Sequence, residues 1–271
     1  MNRADIAARV EAHPVKGTPD EMRAAFRALA PDGPWGRRDC IGGVPVVIHG
    51  TESGNDGTIL FLHGGGYVFG DATTHAAAAA CLAELTGDCV ILPEYRLAPE
   101  HPWPAPLNDA CAVLNARDGP ISVVGDSAGG HLALSLTLAR PGRVDALALI
   151  SPNTDRTGLS RTRDSNSAHD LMNSDADDAA LGALAFGDRH ADDPAVSPLL
   201  SDLSGLPPLY LTATTTEVLL DDTLLFARAA ARAGVRVTLK VEPDLFHMWT
   251  LWPAWPPARR SWAGVAQALS R

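Results

Sequence analysis

Seven short apolar runs rich in Val, Ile and Leu, separated by stretches of helical character, constrain this chain more than any other feature. The runs are VPVVIH (44–49), TILFLH (58–63), CVILP (89–93), ISVVG (121–125), ALALIS (146–151), LYLTA (209–213) and VTLKVE (237–242). Helix candidates lie among and after them at about 73–86, 105–116, 127–139, 222–233 and 258–270. Strands alternating with helices imply parallel βαβ units and a doubly wound sheet covered on both faces. There is one such series in 271 residues, 46% of them hydrophobic and 20% charged, so one main α/β domain over 1–271 with a sizeable core is expected.

Two segments break the alternation. Residues 1 to about 35 hold two short amphipathic helix candidates interrupted at His13-Pro14 and Thr18-Pro19, and 153–190 is polar and rich in Asp and Ser until LGALAFG. Long excursions from a compact α/β core are usually lids or surface decoration. Both would emerge where the strands end, so both are expected as cap elements over a site.

A formal net charge of -10 without any Lys/Arg-rich block argues against nucleic acid, whose phosphates are held mainly by clustered positive charge. No stretch approaches ~18 consecutive apolar residues, and Arg3, Asp5 and Arg9 stand where a signal peptide would need an apolar core, so no membrane partner and a cytoplasmic location are expected. Cys40, Cys81, Cys89 and Cys111 form no C-x-x-C pair and do not alternate with His at zinc spacing. They read as reduced, mostly buried thiols, and no metal is expected.

The chemistry concentrates in three places. In VVGDSAGGHLAL, Ser127 sits between an apolar strand and a helix with Gly125 and Gly129 two residues to either side. In this G-x-S-x-G pattern a sharp strand-to-helix turn pushes the serine hydroxyl out, next to a helix N-terminus that favours developing negative charge. A serine that merely caps a helix is the plainer alternative. In LFLHGGGYVFG three glycines follow His63 after another buried strand, as an acyl-transfer site needs if backbone N–H groups are to approach an oxyanion. The donors are assigned to Gly64, Gly65 and Ala128, with His63 as a loop-orienting hydrogen-bonder.

With a serine elbow in such a sheet, the chain order should be serine, acid, histidine. His131 lies a turn further along the serine's own helix, and His169 and His190 fall in the polar excursion. His247, in EPDLFHMW after the last strand, occupies a strand-end loop that can reach Ser127. The acid then belongs to TTTEVLLDD, after LYLTA, which offers Glu217, Asp221 and Asp222. Asp221 and Asp222 stand at a helix start and read as cap and dipole partners. Glu217 has no such role and would hold the ring N–H of His247.

HGGGYVFG, YRLAPEHPWPAPLNDA (95–110), GDSAGGHLAL and PDLFH together resemble the hormone-sensitive-lipase-like branch of the α/β-hydrolases, which includes many bacterial carboxylesterases. The resemblance runs in order from about residue 44 to the C-terminus. It implies an α/β-hydrolase fold, a mostly parallel sheet with a small helical cap. It also implies a serine carboxylesterase for short- to medium-chain esters or lactones that uses Ser127, His247 and Glu217 and no cofactor. The family's acid usually lies in a D-P-L-x-D segment thirty residues before the histidine, the separation of Glu217 from His247 here. The chain departs from that segment in having Glu for the commoner Asp and Val218 where Pro is common. The short N-terminal part suggests a more open site.

Tyr67 and Phe69 beside the oxyanion loop, and Trp249 and Trp252 beside His247, are candidate apolar walls for the substrate, although Trp249, Trp252 and Trp255 also suit packing of the last helix. YRLAPEHP reads as a supporting loop, with Glu100 and Asp126 as structural hydrogen-bonders. Homodimers are common in similar proteins, so the expected partners are a small-molecule ester and a second copy of the chain. The rival readings are a biosynthetic acyltransferase, cyclase or lyase on the same site, and a non-catalytic binding relative.

Overall fold

Eight strands form one sheet in the computed structural model, which describes residues 1–51, 57–119 and 121–270. Helices α1 (Arg3–Ala12) and α2 (Pro19–Leu29) precede the antiparallel pair β1 (Arg37–Ile41) and β2 (Val44–His49). The alternating part follows as β3 (Thr58–Leu62), α3 (Ala76–Thr86), β4 (Cys89–Pro93), α4 (Ala105–Asn115), β5 (Ile121–Asp126), α5 (Ala128–Ala139) and β6 (Ala146–Ile150). After the excursion, with α6 (Thr162–Ser165) and α7 (Asp175–Phe186), come β7 (Leu209–Thr214), α8 (Leu220–Arg232), β8 (Val237–Glu242) and α9 (Pro256–Leu269).

The strand order is β1-β2-β4-β3-β5-β6-β7-β8. β2 is antiparallel to both neighbours, and the remaining pairs are parallel. All seven apolar runs are strands. β1 escaped the sequence reading because RRDCI, on the sheet edge, buries only Ile41 and carries no apolar signal. α7 also lacked an obvious signal. Its first turn holds Asp175, Asp177 and Asp178 behind the N-cap Ser174, so residues that look like a polar loop are those that suit a helix N-terminus.

β5 is buried along its whole length at the middle of the sheet. The C-terminal ends of the strands are kept in step by hydrogen bonds just beyond them. Ser127 N–H donates to Ile150 O (2.9 Å), Ser151 N–H to Thr212 O (2.8 Å) and Thr215 N–H to Glu242 O (3.0 Å). Loops carrying Ser127, Ser151, Glu217 and His247 therefore leave from one edge.

Both excursions are tied to this edge. A capping box of Thr18 and Glu21 with Pro19 in the first turn starts α2, which buries Phe26 and Leu29, Phe26 lying 4.9 Å from the Phe69 ring. Arg23 fastens the outer side of α2 by donating to Val68 O (2.9 Å) and Ala98 O (3.0 Å) and by pairing with Glu100 (2.6 Å).

The second excursion is fastened through Asp221 and Asp222. Neither caps α8, whose N-terminus has no side-chain cap. Asp221 instead accepts the N–H groups of Arg161 (2.9 Å) and Thr162 (3.2 Å), and Asp222 those of Thr154 and Asp155 (both 2.9 Å). Asp222 also pairs with the buried Arg163 at 2.9 Å, whose other branch reaches Asp178 of α7 at 2.6 Å.

Among the described residues, no helix is long and apolar enough to cross a membrane, and His, Cys, Asp and Glu nowhere gather in a group of three that could hold a metal ion.

Because Arg163 is 6% exposed and pairs with the fully buried Asp222, its removal strands that charge, while Asp178 keeps Arg156 at 2.8 Å. Arg163→Met should cost about 3–5 kcal/mol. In thermal unfolding followed by circular dichroism this is a fall in Tm of about 10 °C or more.

Candidate active site

β5 turns into α5 through Ser127, whose backbone sits at φ 54°, ψ -120°. A non-glycine residue held there costs about 1–3 kcal/mol and persists only where its surroundings enforce it. Here they do. A methyl group on Gly125 would lie 2.1 Å from Gly129 O, and one on Gly129 would lie 2.0 Å from Leu62 O. The flanking glycines of the motif are thus set by backbone touching backbone, which lifts the serine side chain clear of both elements.

The loop after β8 brings His247 to Ser127, with Nε2 2.8 Å from Ser127 Oγ. Its Nδ1 lies 2.8 Å from Oε2 of Glu217, which the loop after β7 delivers fully buried. The other oxygen, Oε1, accepts the Ser151 hydroxyl and the Thr214 N–H, each at 2.8 Å. With a carboxylate facing Nδ1, the proton resides on Nδ1, and Nε2 is left to accept the Ser127 hydroxyl hydrogen. Burial pushes the His247 pKa down, but the Glu217 hydrogen bond and the negative charges of Glu217, Asp170 and Asp126 outweigh it and leave the pKa above the ordinary histidine value.

The structure thus brings Ser127, His247 and Glu217 into one hydrogen-bonded chain. Ser151, whose hydroxyl holds the Glu217 carboxylate, was missed by the sequence reading. Its position just past the end of β6 was the available signal.

The oxyanion assignment needs one correction. The Gly64 N–H donates to Asp126 Oδ1 at 3.0 Å, so it is taken by the protein itself. Gly65 and Gly66 line the cavity together with Ser127. Ala128 opens α5, where first-turn N–H groups have no intrahelical acceptor. The sequence did not single out Gly66 as a cavity residue, because counting from His63 does not reveal which of the three glycines an interior carboxylate occupies. His63 lies beneath the loop, with Nδ1 2.8 Å from Gly64 O and its ring stacked on Tyr95 at 4.2 Å. Burial, helped by His75, holds its pKa down to about 4, so it is neutral.

A cavity of about 430 Å³ opens over Ser127 and His247. Its apolar walls come from both excursions, Met22 and Phe26 on one side and Leu171, Met172 and Leu181 on the other, and Met248 joins them next to His247. Of the four aromatic candidates Phe69 lines it, and the other three are corrections. Tyr67 points into the core and bonds His131 Nδ1 at 2.6 Å. Trp249 donates to Ser261 Oγ at 3.0 Å against α9, and Trp252 packs on Phe246 with rings 5.8 Å apart. Both tryptophans are fully buried, because the segment after His247 turns inward to carry α9 onto the sheet.

Comparison with known proteins agrees with this architecture. Residues 59–251 match the α/β hydrolase fold family. An esterase of Acinetobacter venetianus is 34% identical over 77% of this chain and 73% of its own length. Carboxylesterase NlhH of Mycobacterium tuberculosis is 31% identical over 89% of this chain and 80% of its own. The crystal structure of an esterase from the bacterial hormone-sensitive lipase family, 29% identical, superposes with a TM-score of 0.89 over 97% of this chain and 95% of that one. The chain belongs to the α/β-hydrolase family, in its hormone-sensitive-lipase-like branch.

His247 is expected to titrate above 6.5, the ordinary value for a histidine. Glu217→Gln removes the adjacent negative charge and should bring that titration down by one unit or more, on the order of the effect of a close opposite charge. NMR of the imidazole signals across pH checks both.

Proposed function

We propose that the protein is a serine carboxylesterase that hydrolyses esters of short- to medium-chain acids through an acyl-enzyme. The observation that carries this reading is the continuous hydrogen-bonded chain from Ser127 Oγ through His247 to Glu217, each link 2.8 Å, at the floor of an apolar-walled cavity.

Ser127 attacks the ester carbonyl as its proton passes to His247 Nε2. Glu217 keeps the ring in the required tautomer and stabilises the imidazolium. The negative charge that forms on the carbonyl oxygen is held by the N–H groups of Gly65, Gly66 and Ala128. His247 then returns the proton to the leaving alcohol, and a water activated by the same nitrogen releases the acid. Residues 1–35 and 153–190 serve as the cap whose apolar walls receive the substrate.

The relatives named esterase, acetyl-hydrolase and carboxylesterase support the reaction class. The related esterase EstE5, 28% identical with a TM-score of 0.88, has a crystal structure soaked with p-nitrophenyl butyrate, a short-chain ester.

Hydrolysis of p-nitrophenyl esters from acetate to dodecanoate tests the proposal. Turnover should be greatest for the shorter chains and should vanish in Ser127→Ala while the fold is retained. Undiminished turnover in that variant would overturn it. Glu217→Gln should lower kcat by about 10⁴-fold, as expected when a triad carboxylate no longer enforces the tautomer. Asp221→Asn, which touches only the α6 backbone, should cost far less.

A further inference from the structure

The 153–190 excursion does more than wall the cavity. Asp170, on the cavity side of that segment, holds three backbone N–H groups, each at 3.1 Å. One, from Met172, is local. The others come from two separate strand-end loops: Val218 N–H, immediately after Glu217, donates to Oδ2, and the N–H of His247 itself donates to Oδ1.

We propose that Asp170 is a positioning residue whose carboxylate ties the acid loop to the histidine loop and so fixes the Glu217–His247 contact on which activation of Ser127 depends. The inference rests on the triad reading given above.

Nearer the sheet the two loops are joined by threonines. Leu245 N–H donates to Thr214 Oγ1 and Asp244 N–H to Thr215 Oγ1 (both 3.0 Å), and the Thr216 hydroxyl donates to Leu245 O. Those ties end one residue short of Glu217 on one loop and two short of His247 on the other. Asp170 closes the gap from the cavity side. Asn166, one helical turn earlier, supports the same loop by donating to Thr215 O (3.1 Å) and Glu217 O (2.9 Å).

A carboxylate suits this place better than its amide. Two oxygens that only accept can serve three donors, whereas asparagine would turn an NH2 toward one of them. The charge has a second effect. Asp170, with Glu217 and Asp126, is one of the negative groups facing His247 and favouring its imidazolium. Burial, helped by the Glu217 charge, holds the Asp170 pKa above the ordinary carboxylate value, and His247 pulls it the other way, toward the anion. A role limited to loop structure would not touch the titration of His247.

The test compares wild type, Asp170→Asn and Asn166→Ala as full-length protein, with thermal unfolding to confirm the fold. It reads p-nitrophenyl butyrate kinetics from pH 5 to 9, and the His247 imidazole titration by NMR, assigned against His247→Asn. Asp170→Asn should lower kcat about ten- to a hundredfold with KM little changed, as misplacement of a catalytic group does. Loss of the anion lowers the His247 pKa, so the titration and the acid limb of kcat/KM should move toward lower pH. Asn166→Ala should lower kcat without moving either. A folded Asp170→Asn variant with an unmoved titration, or with kcat within about twofold of a wild type that hydrolyses the ester, overturns the proposal. If Asp170→Asn does not fold, Asp170→Glu is read instead. It keeps the charge and should lower kcat with the titration in place, and wild-type kcat there also overturns the proposal. A wild type without ester turnover, in which Asp170→Asn still shifts the titration, would sink the esterase reading and leave this one standing.

Discussion

A serine held at φ 54° and ψ -120° persists because its neighbours leave the chain no other route. Gly125 and Gly129 bring β5, α5 and the end of β3 so close that a single added methyl group would overlap a carbonyl oxygen. The rest of the site is arranged around that turn. The strand ends beside it step across the sheet by backbone hydrogen bonds, and each step sets the take-off of one loop. The glycine loop, Ser151, Glu217 and His247 meet Ser127 because those take-offs are in register.

Three acidic side chains in and near one loop then take three different parts according to what surrounds them. Glu217 is enclosed by a hydroxyl, a backbone N–H and an imidazole, which leaves one oxygen aimed at His247. Asp222 is enclosed by backbone N–H groups and Arg163, an arrangement that makes it an anchor. Asp221, at the surface, caps the short α6. Interior carboxylates of this kind are tolerated because each finds a full set of donors.

Much of this was legible in the sequence, and the reasons are local. The apolar runs declare their strands because central strands are buried on both faces, and the elbow declares itself because close backbone contact admits only glycine at fixed spacing. That Ser127, His247 and Glu217 come together followed from chain order and from the resemblance to a family whose acid lies thirty residues before its histidine. What was not legible depends on contacts between segments distant in sequence. Nothing in HGGG tells that Asp126 occupies the first glycine's N–H, and nothing in SAHDLM tells that its aspartate reaches two loops 48 and 77 residues away. The tryptophans after His247 misled for a related reason. Proximity in sequence to a reactive residue says nothing about which side of the loop a ring will take, and α9 offered these rings a dry interior.

The methionines give the cavity a particular mechanical character. Met22, Met172 and Met248 enter it from three different segments, and each presents an unbranched thioether with three rotatable bonds. A wall of branched or aromatic side chains has one shape. A wall with three such chains has a set of shapes separated by small rotamer energies, and a ligand entering it selects among them. Shape selection therefore falls mainly on the rigid end of the cavity, where the glycine loop and the serine turn are held by backbone contacts that cannot adjust.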